Sequence, residues 1–404
     1  MTLPGQDPAP NKAGARRVTA LVFAAQGTAV AAVSTTIPAV EERFGLPALA
    51  TTAILLAVAL AAGAGSLLGM AAVRRLGPVA AMRSCVLAVA AALLGIAWAP
   101  DTTVLVAAYV LFGLSVGGID VSANTRAAAV ERHYGHSIFA SFYAVWSCAG
   151  VAAALLTAGT SRLNWPVADT LVIQAAVVVV LALGIRSHRL PGTTPGRASA
   201  AVGTRIWVRL VPFGIVLLVA YVIDSSVSTW SAAYLHETLA ASLAAAPLAY
   251  AAYQAGTVLG RAGADRLVRR IGPVAVVCWA TVLTAAAAAG LAFAPTWPIA
   301  AAAAGLTGLG VSAFAPLCLA SAGRLQPDAA EAILARLNLF NYFGVIAGGA
   351  VSGVLGSAGQ FRLAYAAPAL LVLLLMATAR SFTPVRTESG ADERSNPMYW
   401  AGTT

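Results

Sequence analysis

The chain is 404 residues long, 59% hydrophobic and only 10% charged, with a formal net charge of +10. Soluble domains carry about 25% charged residues. The composition therefore excludes a water-soluble enzyme or binding domain and indicates a protein that lies in a lipid bilayer. The excess of basic residues would suit a nucleic-acid partner, unless these residues lie mostly on one side of the membrane. The four cysteines lie in apolar runs without metal-ligand spacing, so neither a metal site nor a cofactor is expected.

Twelve mostly apolar segments follow one another, each close to the roughly 20 residues that a membrane-spanning helix needs. The predicted spans are 17–40, 49–73, 80–98, 103–126, 138–160, 167–186, 208–235, 244–267, 274–294, 298–322, 333–356 and 363–380. They predict an all-α membrane protein with one six-helix bundle at 17–186 and a second at 207–380. Polar stretches with Pro and Gly predict tails at 1–16 and 381–404 and a linker at 187–206.

Two stretches of the first half recur in the second half at one offset of 195 positions. Residues 73–80 recur at 268–275, and residues 95–100 recur at 290–295. A repeat of nearly half the chain is too long for a solenoid. Six spans per half also give both halves the same orientation. The repeat therefore predicts two parallel bundles related by an axis along the membrane normal.

The positions of the arginines predict the orientation, because cytoplasmic loops carry an excess of basic residues. With a cytoplasmic N-terminus, all 25 basic residues fall on the cytoplasmic side except Arg43, Arg162 and Arg362. The positive charge thus follows the topology, and no nucleic-acid partner is expected. We expect a monomeric, multi-pass protein of the bacterial plasma (inner) membrane with both termini in the cytoplasm.

Several motifs resemble those of one transporter family. They are IPAV at 37–40 followed by RFGL at 43–46, GGIDVSAN at 117–124, and Asp224 six residues before WSAAYL at 230–235. The loop after the second span resembles the family signature G-x-x-x-D-R-x-G-R-R with Arg74 in the acidic position, and the copy around Asp265 is closer to it. On these residues the chain resembles the major facilitator superfamily over its whole length. Within it, the chain is similar to a bacterial inner-membrane branch related to the fucose:proton symporters.

The resemblance implies twelve helices in two six-helix bundles and transport by rocker-switch alternating access. It fixes neither the solute nor the direction of transport. The acid-x-x-x-Asn of the fourth span is the most specific element shared with that branch. The branch tends to place a histidine in the fifth span, where this chain has Phe142 and Tyr143. No mechanism that needs an imidazole there is therefore carried over.

Two of the 15 acidic residues, Asp120 and Asp224, lie well inside predicted spans. A charge at the centre of a bilayer costs about 2.5–3.5 kcal/mol on insertion scales, so such acids are functional candidates by default. Asn124 lies one helical turn after Asp120 on the same face. Burial disfavours the charged form of a carboxyl, so the two acids could load and release protons near neutral pH. The alternative is a structural acid paired with an arginine or capped by hydroxyl and amide groups.

Aromatic and amide side chains on several spans predict the walls of a solute cavity. Aromatic faces with a few amides suit a sugar or an amphipathic organic molecule. The candidates are Gln26, Tyr143, Trp146, Tyr221, Tyr253, Gln254, Asn338 and Asn341. The alternative role for these residues is helix packing or an aromatic belt at the membrane surface.

Charged residues near the predicted cytoplasmic helix ends suggest a gate. Asp265 lies near the start of the fifth span, where the positive end of that helix would attract a carboxylate. In the first half, Arg74 or Arg75 could instead pair with an acid at the start of the eleventh span. The expected gate residues are Arg74, Arg75, Asp265, Arg266, Asp328 and Glu331.

These features predict a secondary active transporter that moves a small organic solute, with proton coupling through Asp120 and Asp224. Uptake and export are both open, and an efflux pump for a hydrophobic drug or natural product is the alternative. A membrane sensor that transports nothing, built on the same scaffold, is a further alternative. The sequence shows no Ser-His-Asp set and no phosphate-binding loop, so no enzyme activity is expected.

Overall fold

The computed structural model describes residues 12–134, 138–186, 205–323, 325 and 330–383. All regular structure within these residues is helical. The helices are α1 Lys12–Phe44, α2 Ala48–Leu76, α3 Pro78–Trp98, α4 Thr102–Tyr134, α5 Phe139–Arg162, α6 Val167–Leu183, α7 Arg205–Leu239, α8 Pro247–Ile271, α9 Pro273–Ala292, α10 Trp297–Val311, α11 Phe314–Gly323, α12 Ala330–Ser357 and α13 Phe361–Leu373, followed by a 3₁₀ helix at Leu374–Phe382. The predicted tails and linker lie largely outside the described residues.

All twelve predicted spans are helical. Ten helical segments are long and apolar enough to cross a membrane. Helix α6 is apolar but shorter, and α8 is more polar because it carries Gln254 and Arg261 among its apolar residues. The tenth span consists of α10 and α11 with a break at 312–313, and the twelfth consists of α13 with the 3₁₀ helix.

The repeated turns have the same backbone in both halves. Gly77 joins α2 to α3 with φ at 81°, and Gly272, its copy in the second half, joins α8 to α9 with φ at 82°. Side chains rarely tolerate this left-handed region, so glycine is the residue that fits. Each glycine is followed by a proline at the first position of the next helix, where its missing N–H costs no hydrogen bond. The repeated Gly-Pro pairs therefore determine the equivalent turns of the two halves.

The helices pack as two groups, α1–α6 and α7–α13. Each group has its own apolar core, around Leu93 and Phe112 in the first and around Val216 and Phe314 in the second. The groups meet mainly through α1 with α7, α2 with α12, and α5 with α8. This is the arrangement of two six-helix bundles that the repeat predicts.

We call the membrane face at which α1 begins the near face and the one at which α1 ends the far face. At the far face the two halves touch. His236 Nε2 of α7 lies 2.9 Å from Glu42 Oε1 of α1, and Gly353 of α12 packs against Thr52 of α2. The two halves are therefore in contact at the far face.

Candidate transport site

A polar cluster surrounds the carboxyl of Asp120 in the interior of α4. Gln26 Nε2 of α1 and Asn124 Nδ2 of α4 both donate to Asp120 Oδ1, each at 3.4 Å. Tyr143 Oη of α5 donates to Asn124 Oδ1 at 3.3 Å. Asp120 and Asn124 thus share a face of α4, as their spacing predicts, and side chains from two other helices complete the cluster.

The second carboxyl, Asp224, lies in the interior of α7 in the other half. Tyr253 Oη of α8 donates to Asp224 Oδ1 at 2.6 Å. Tyr253 is fully buried, whereas Asp224 is partly exposed, as is Asp120. Among the residues that the structure describes, neither carboxyl has a basic group within ion-pair distance, and their side-chain partners are neutral donors.

Two tyrosines connect the regions around these carboxyls. Tyr221 lies one turn before Asp224 and interacts electrostatically with Asp224, Arg261 and Asp120. Tyr143 interacts in the same way with Asp120, Tyr221 and Arg261. The carboxyls of the two halves therefore border one shared region.

Helices α5 and α8 form a polar contact between the halves beside this region. The hydroxyl oxygens of Ser147 and Thr257 lie 3.1 Å apart. Arg261 Nη1 donates to Ser147 Oγ at 3.1 Å and to the carbonyl oxygen of Tyr143 at 3.4 Å. Its guanidinium carbon also lies 5.7 Å from the centre of the Tyr143 ring. Arg261 is thus a cation held where the two halves meet.

The position of Arg261 corrects the sequence analysis, which counted it with the cytoplasmic residues. It lies well before α8 ends at Ile271 and contacts α5. Arg126, counted in the same group, is buried within α4 at 5% exposure. The signal was present in the sequence, because Arg261 falls inside the predicted span 244–267. An arginine near a span end was interpreted as topological, so the contact of Arg261 with α5 was not predicted.

The predicted cavity residues fall into two groups. Four are partly exposed and three are buried: the exposed ones are Tyr143, Trp146, Tyr221 and Asn341, and the buried ones are Gln26, Tyr253 and Gln254. Gln26 donates to the carboxyl of Asp120, and Tyr253 donates to that of Asp224. Gln254 Oε1 accepts a hydrogen bond from Thr257 at 3.3 Å. The side chain of Asn338 lies outside the described residues.

The predicted gate residues are only partly described. Arg74, Arg75 and Arg266 are exposed at the near face. Asp328 and the side chains of Asp265 and Glu331 lie outside the described residues. The pairing of these groups therefore stays a prediction.

A separate cavity of about 700 Å³ opens at the far face, where the sequence analysis predicted none. It lies between α1, the connection from α5 to α6 and the connection from α7 to α8, with Thr35, Ser161, Trp165 and Leu243 among its walls. It does not include the two carboxyls. Within the described ranges, no group of three or more His, Cys, Asp or Glu side chains could hold a metal ion.

Comparison with known proteins relates this arrangement to a family. The family profile described as Major Facilitator Superfamily matches residues 213–401. An uncharacterized MFS-type transporter of Yersinia pestis is 28% identical over 375 residues, which make up 90% of this chain and 95% of that protein. The chain is therefore similar to the major facilitator superfamily, by the family profile over its second half and by this relative over nearly its whole length. That relative is named as a transporter rather than as an enzyme.

Solved structures of facilitators share the fold. The nucleoside transporter NupG has a TM-score of 0.72 at 14% identity, covering 92% of this chain and 100% of that one. The E. coli fucose:proton symporter FucP has a TM-score of 0.57 at 17% identity, covering 91% and 98%. At such identities the likeness concerns the fold, which is twelve helices in two domains. The chain therefore shares the facilitator fold, and the ten described helical segments that are long and apolar enough to cross a membrane indicate a multi-pass membrane protein.

Proposed function

We propose that this protein is a member of the major facilitator superfamily and a proton-coupled secondary transporter of a small polar organic solute, working by rocker-switch alternating access. The observation that carries the proposal is the placement of Asp120 and Asp224 on facing halves, each bonded by neutral donors. A carboxyl without a cation partner can gain or lose a proton without breaking an ion pair. Such a group inside a membrane protein is suited to bind a proton in one state and release it in the other.

The exposed arginines of the near face support an orientation with that face in the cytoplasm of a bacterial inner membrane. Arg74 and Arg75 follow α2, and Arg269 and Arg270 occupy the equivalent position at the end of α8. Basic residues concentrate on the cytoplasmic side of membrane proteins. With this orientation, the contacts between the halves at the far face support an inward-facing state. We retain the pairing of Arg74 or Arg75 with Asp328 or Glu331 as the proposed latch of the opposite state.

The chemistry of the shared region favours a polar solute over a hydrophobic drug. Tyr143 and Tyr221 are partly exposed and interact electrostatically with Asp120, and Tyr221 also with Asp224. An apolar molecule bound here would take the two carboxyls out of water without offering them hydrogen bonds, which costs free energy. NupG and FucP, which share the fold, are named for a nucleoside and a sugar. The direction of transport is open in this proposal.

Proton flux in proteoliposomes tests the proposal. The vesicles contain a pH-sensitive dye, and uridine, L-fucose or gluconate is added outside to wild type, Asp120→Asn or Asp224→Asn. We expect solute-driven proton movement in wild type and its loss in both variants. Asp169→Asn, which removes an exposed carboxyl at the start of α6, is the matched control and should behave as wild type. Solute flux without proton movement in wild type, or unchanged flux in both interior variants, would refute the coupling.

A further inference from the structure

We infer that Arg261 forms a subsite for a carboxylate group of the transported solute, which makes that solute an organic acid. The inference rests on the proposed function, because it names the solute class of the same region. It does not follow from the fold, since relatives with this fold are named for neutral solutes as well.

The guanidinium of Arg261 is anchored on one side and free on the other. Its two described hydrogen bonds, to Ser147 and to the Tyr143 carbonyl, both use Nη1. Among the described residues, no acceptor lies against Nη2 or Nε, and Arg261 is partly exposed. An arginine offers five N–H donors in a planar fork that fits both oxygens of a carboxylate. The free edge therefore has the geometry that a carboxylate requires.

The charge of Arg261 also lacks a partner in direct contact. Asp224 interacts with it electrostatically, yet within the described part of the chain no carboxylate lies within ion-pair distance of Arg261. A cation between helices inside a membrane protein is costly and is usually paired. A bound solute carboxylate would offset that cost. Because Tyr143 and Ser147 already hold the guanidinium in place, little side-chain freedom is lost on binding.

The neighbouring carboxyls link this subsite to protons. Among the described residues, the titratable groups that interact with Arg261 are Tyr143 of α5, Tyr221 and Asp224 of α7, and Tyr253 of α8, and Asp120 of α4 interacts in turn with Tyr143 and Tyr221. With Asp120 and Asp224 ionised, the region carries a net negative charge that repels an anion. With both protonated, only the charge of Arg261 is left, and an anion is attracted. Anion binding and proton binding therefore favour each other, and the affinity for an anion rises as the pH falls.

Binding of matched acids and amides tests the subsite without relying on transport. Titration calorimetry on the purified full chain in nanodiscs compares gluconate with gluconamide, benzoate with benzamide, and lactate with lactamide at pH 6 and pH 8. We expect at least one acid to bind roughly ten- to a hundredfold more tightly than its amide, as a charge-assisted hydrogen-bond pair provides. The preference should be larger at pH 6 than at pH 8.

Substitutions then assign the preference to Arg261. Arg261→Gln should abolish it, and Arg261→Lys, which keeps the charge without the fork, should retain part of it. Arg270→Gln removes an exposed arginine from the same helix and should leave the preference for acids unchanged.

Equal binding of every acid and its amide in wild type overturns the inference, as does a preference that survives in folded Arg261→Gln. Proton-coupled flux of a neutral solute that persists in Arg261→Gln would overturn the subsite and leave the proposed function standing. Carboxylate binding through Arg261 without any flux would overturn the proposed function instead.

Discussion

Arg43 and Arg362 bind equivalent carbonyl groups in the two halves, although they stand on helices that are not equivalent. Arg43, at the end of α1, donates through Nη1 to the oxygen of Ala97 at 2.6 Å and through Nη2 to that of Ala99 at 3.3 Å. Arg362, at the start of α13, donates to the oxygens of Ala292 and Ala294, each at 3.4 Å. These acceptors are copies of each other in the repeat, at the ends of α3 and α9. Two of the three arginines predicted on the outer side thus have a structural role there.

Replacing either arginine should destabilise the protein. Arg43→Gln and Arg362→Gln each remove a cation from carbonyls at a helix C-terminus, where a positive charge is favourable. We expect each to cost about 1–2 kcal/mol of unfolding free energy. The two effects should add, because the sites lie in different halves. Thermal unfolding in detergent measures this, with Arg162→Gln, the third arginine of this face, as control. An equal loss in Arg162→Gln would show that the general positive charge of this face stabilises the protein and that the bonds to the helix-end carbonyls do not.

The scaffold could be predicted from the sequence, whereas contacts between distant segments could not. The apolar runs and the repeated Gly-Pro pairs at Gly77 and Gly272 were sufficient to predict twelve helices in two halves. The pairing of Asp120 with Asn124 follows from helical spacing. Gln26 and Tyr143 join that cluster from other helices, and no spacing rule relates them to Asp120. The sequence already places Arg261 inside the predicted span 244–267, but its bond to Ser147 could not be predicted, because it depends on the packing of α8 on α5.

Close packing of α1 on α5 makes Gly27 sensitive to the smallest substitution. A Cβ atom at Gly27 would overlap the backbone carbonyl of Trp146, and a backbone cannot move aside as a side chain can. Gly27→Ala should therefore cost about 1–3 kcal/mol of stability, as overpacking does. Gly290→Ala is the matched control, because its Cβ would lie 3.7 Å from Ala303 Cβ, an ordinary contact. That control should be neutral or gain up to about 1 kcal/mol from helix propensity. Thermal unfolding distinguishes the two, and equal melting temperatures would contradict the packing argument.

The contact between His236 and Glu42 should bias the protein toward closure of the far face. It joins α7 to α1 across the two halves, with side chains that are 26% and 54% exposed. Exposed pairs contribute up to about 1 kcal/mol, so Glu42→Gln should raise the far-open population by up to about fivefold. Spin labels at Leu163 and Thr296, on opposite halves of this face, report the distance by double electron–electron resonance after the native cysteines are replaced. Asp169→Asn serves as control.

The acids beside this contact predict a pH dependence of closure. Glu41 of α1 and Glu237 of α7 lie next to each other, and ionisation of both adds repulsion between α1 and α7. Raising the pH should therefore open the far face. In Glu237→Gln the label distances should depend less on pH, and an unchanged dependence would contradict the role of these two acids.

Asn124 should matter for transport through Asp120 rather than through stability. It donates to Asp120 and accepts from Tyr143, so Asn124→Leu removes two hydrogen bonds that together contribute about 1–3 kcal/mol. We expect solute-driven proton flux to fall roughly ten- to a hundredfold, with the melting temperature within a few degrees of wild type. Thr125→Val changes the exposed neighbour, whose hydroxyl bonds back to Val121 within the helix, and should retain full flux.

The double variant Asn124→Leu with Asp120→Asn should be no worse than Asp120→Asn alone, because residues that act as one unit are not additive. A further loss in the double variant would mean that Asn124 contacts the solute independently of the carboxyl.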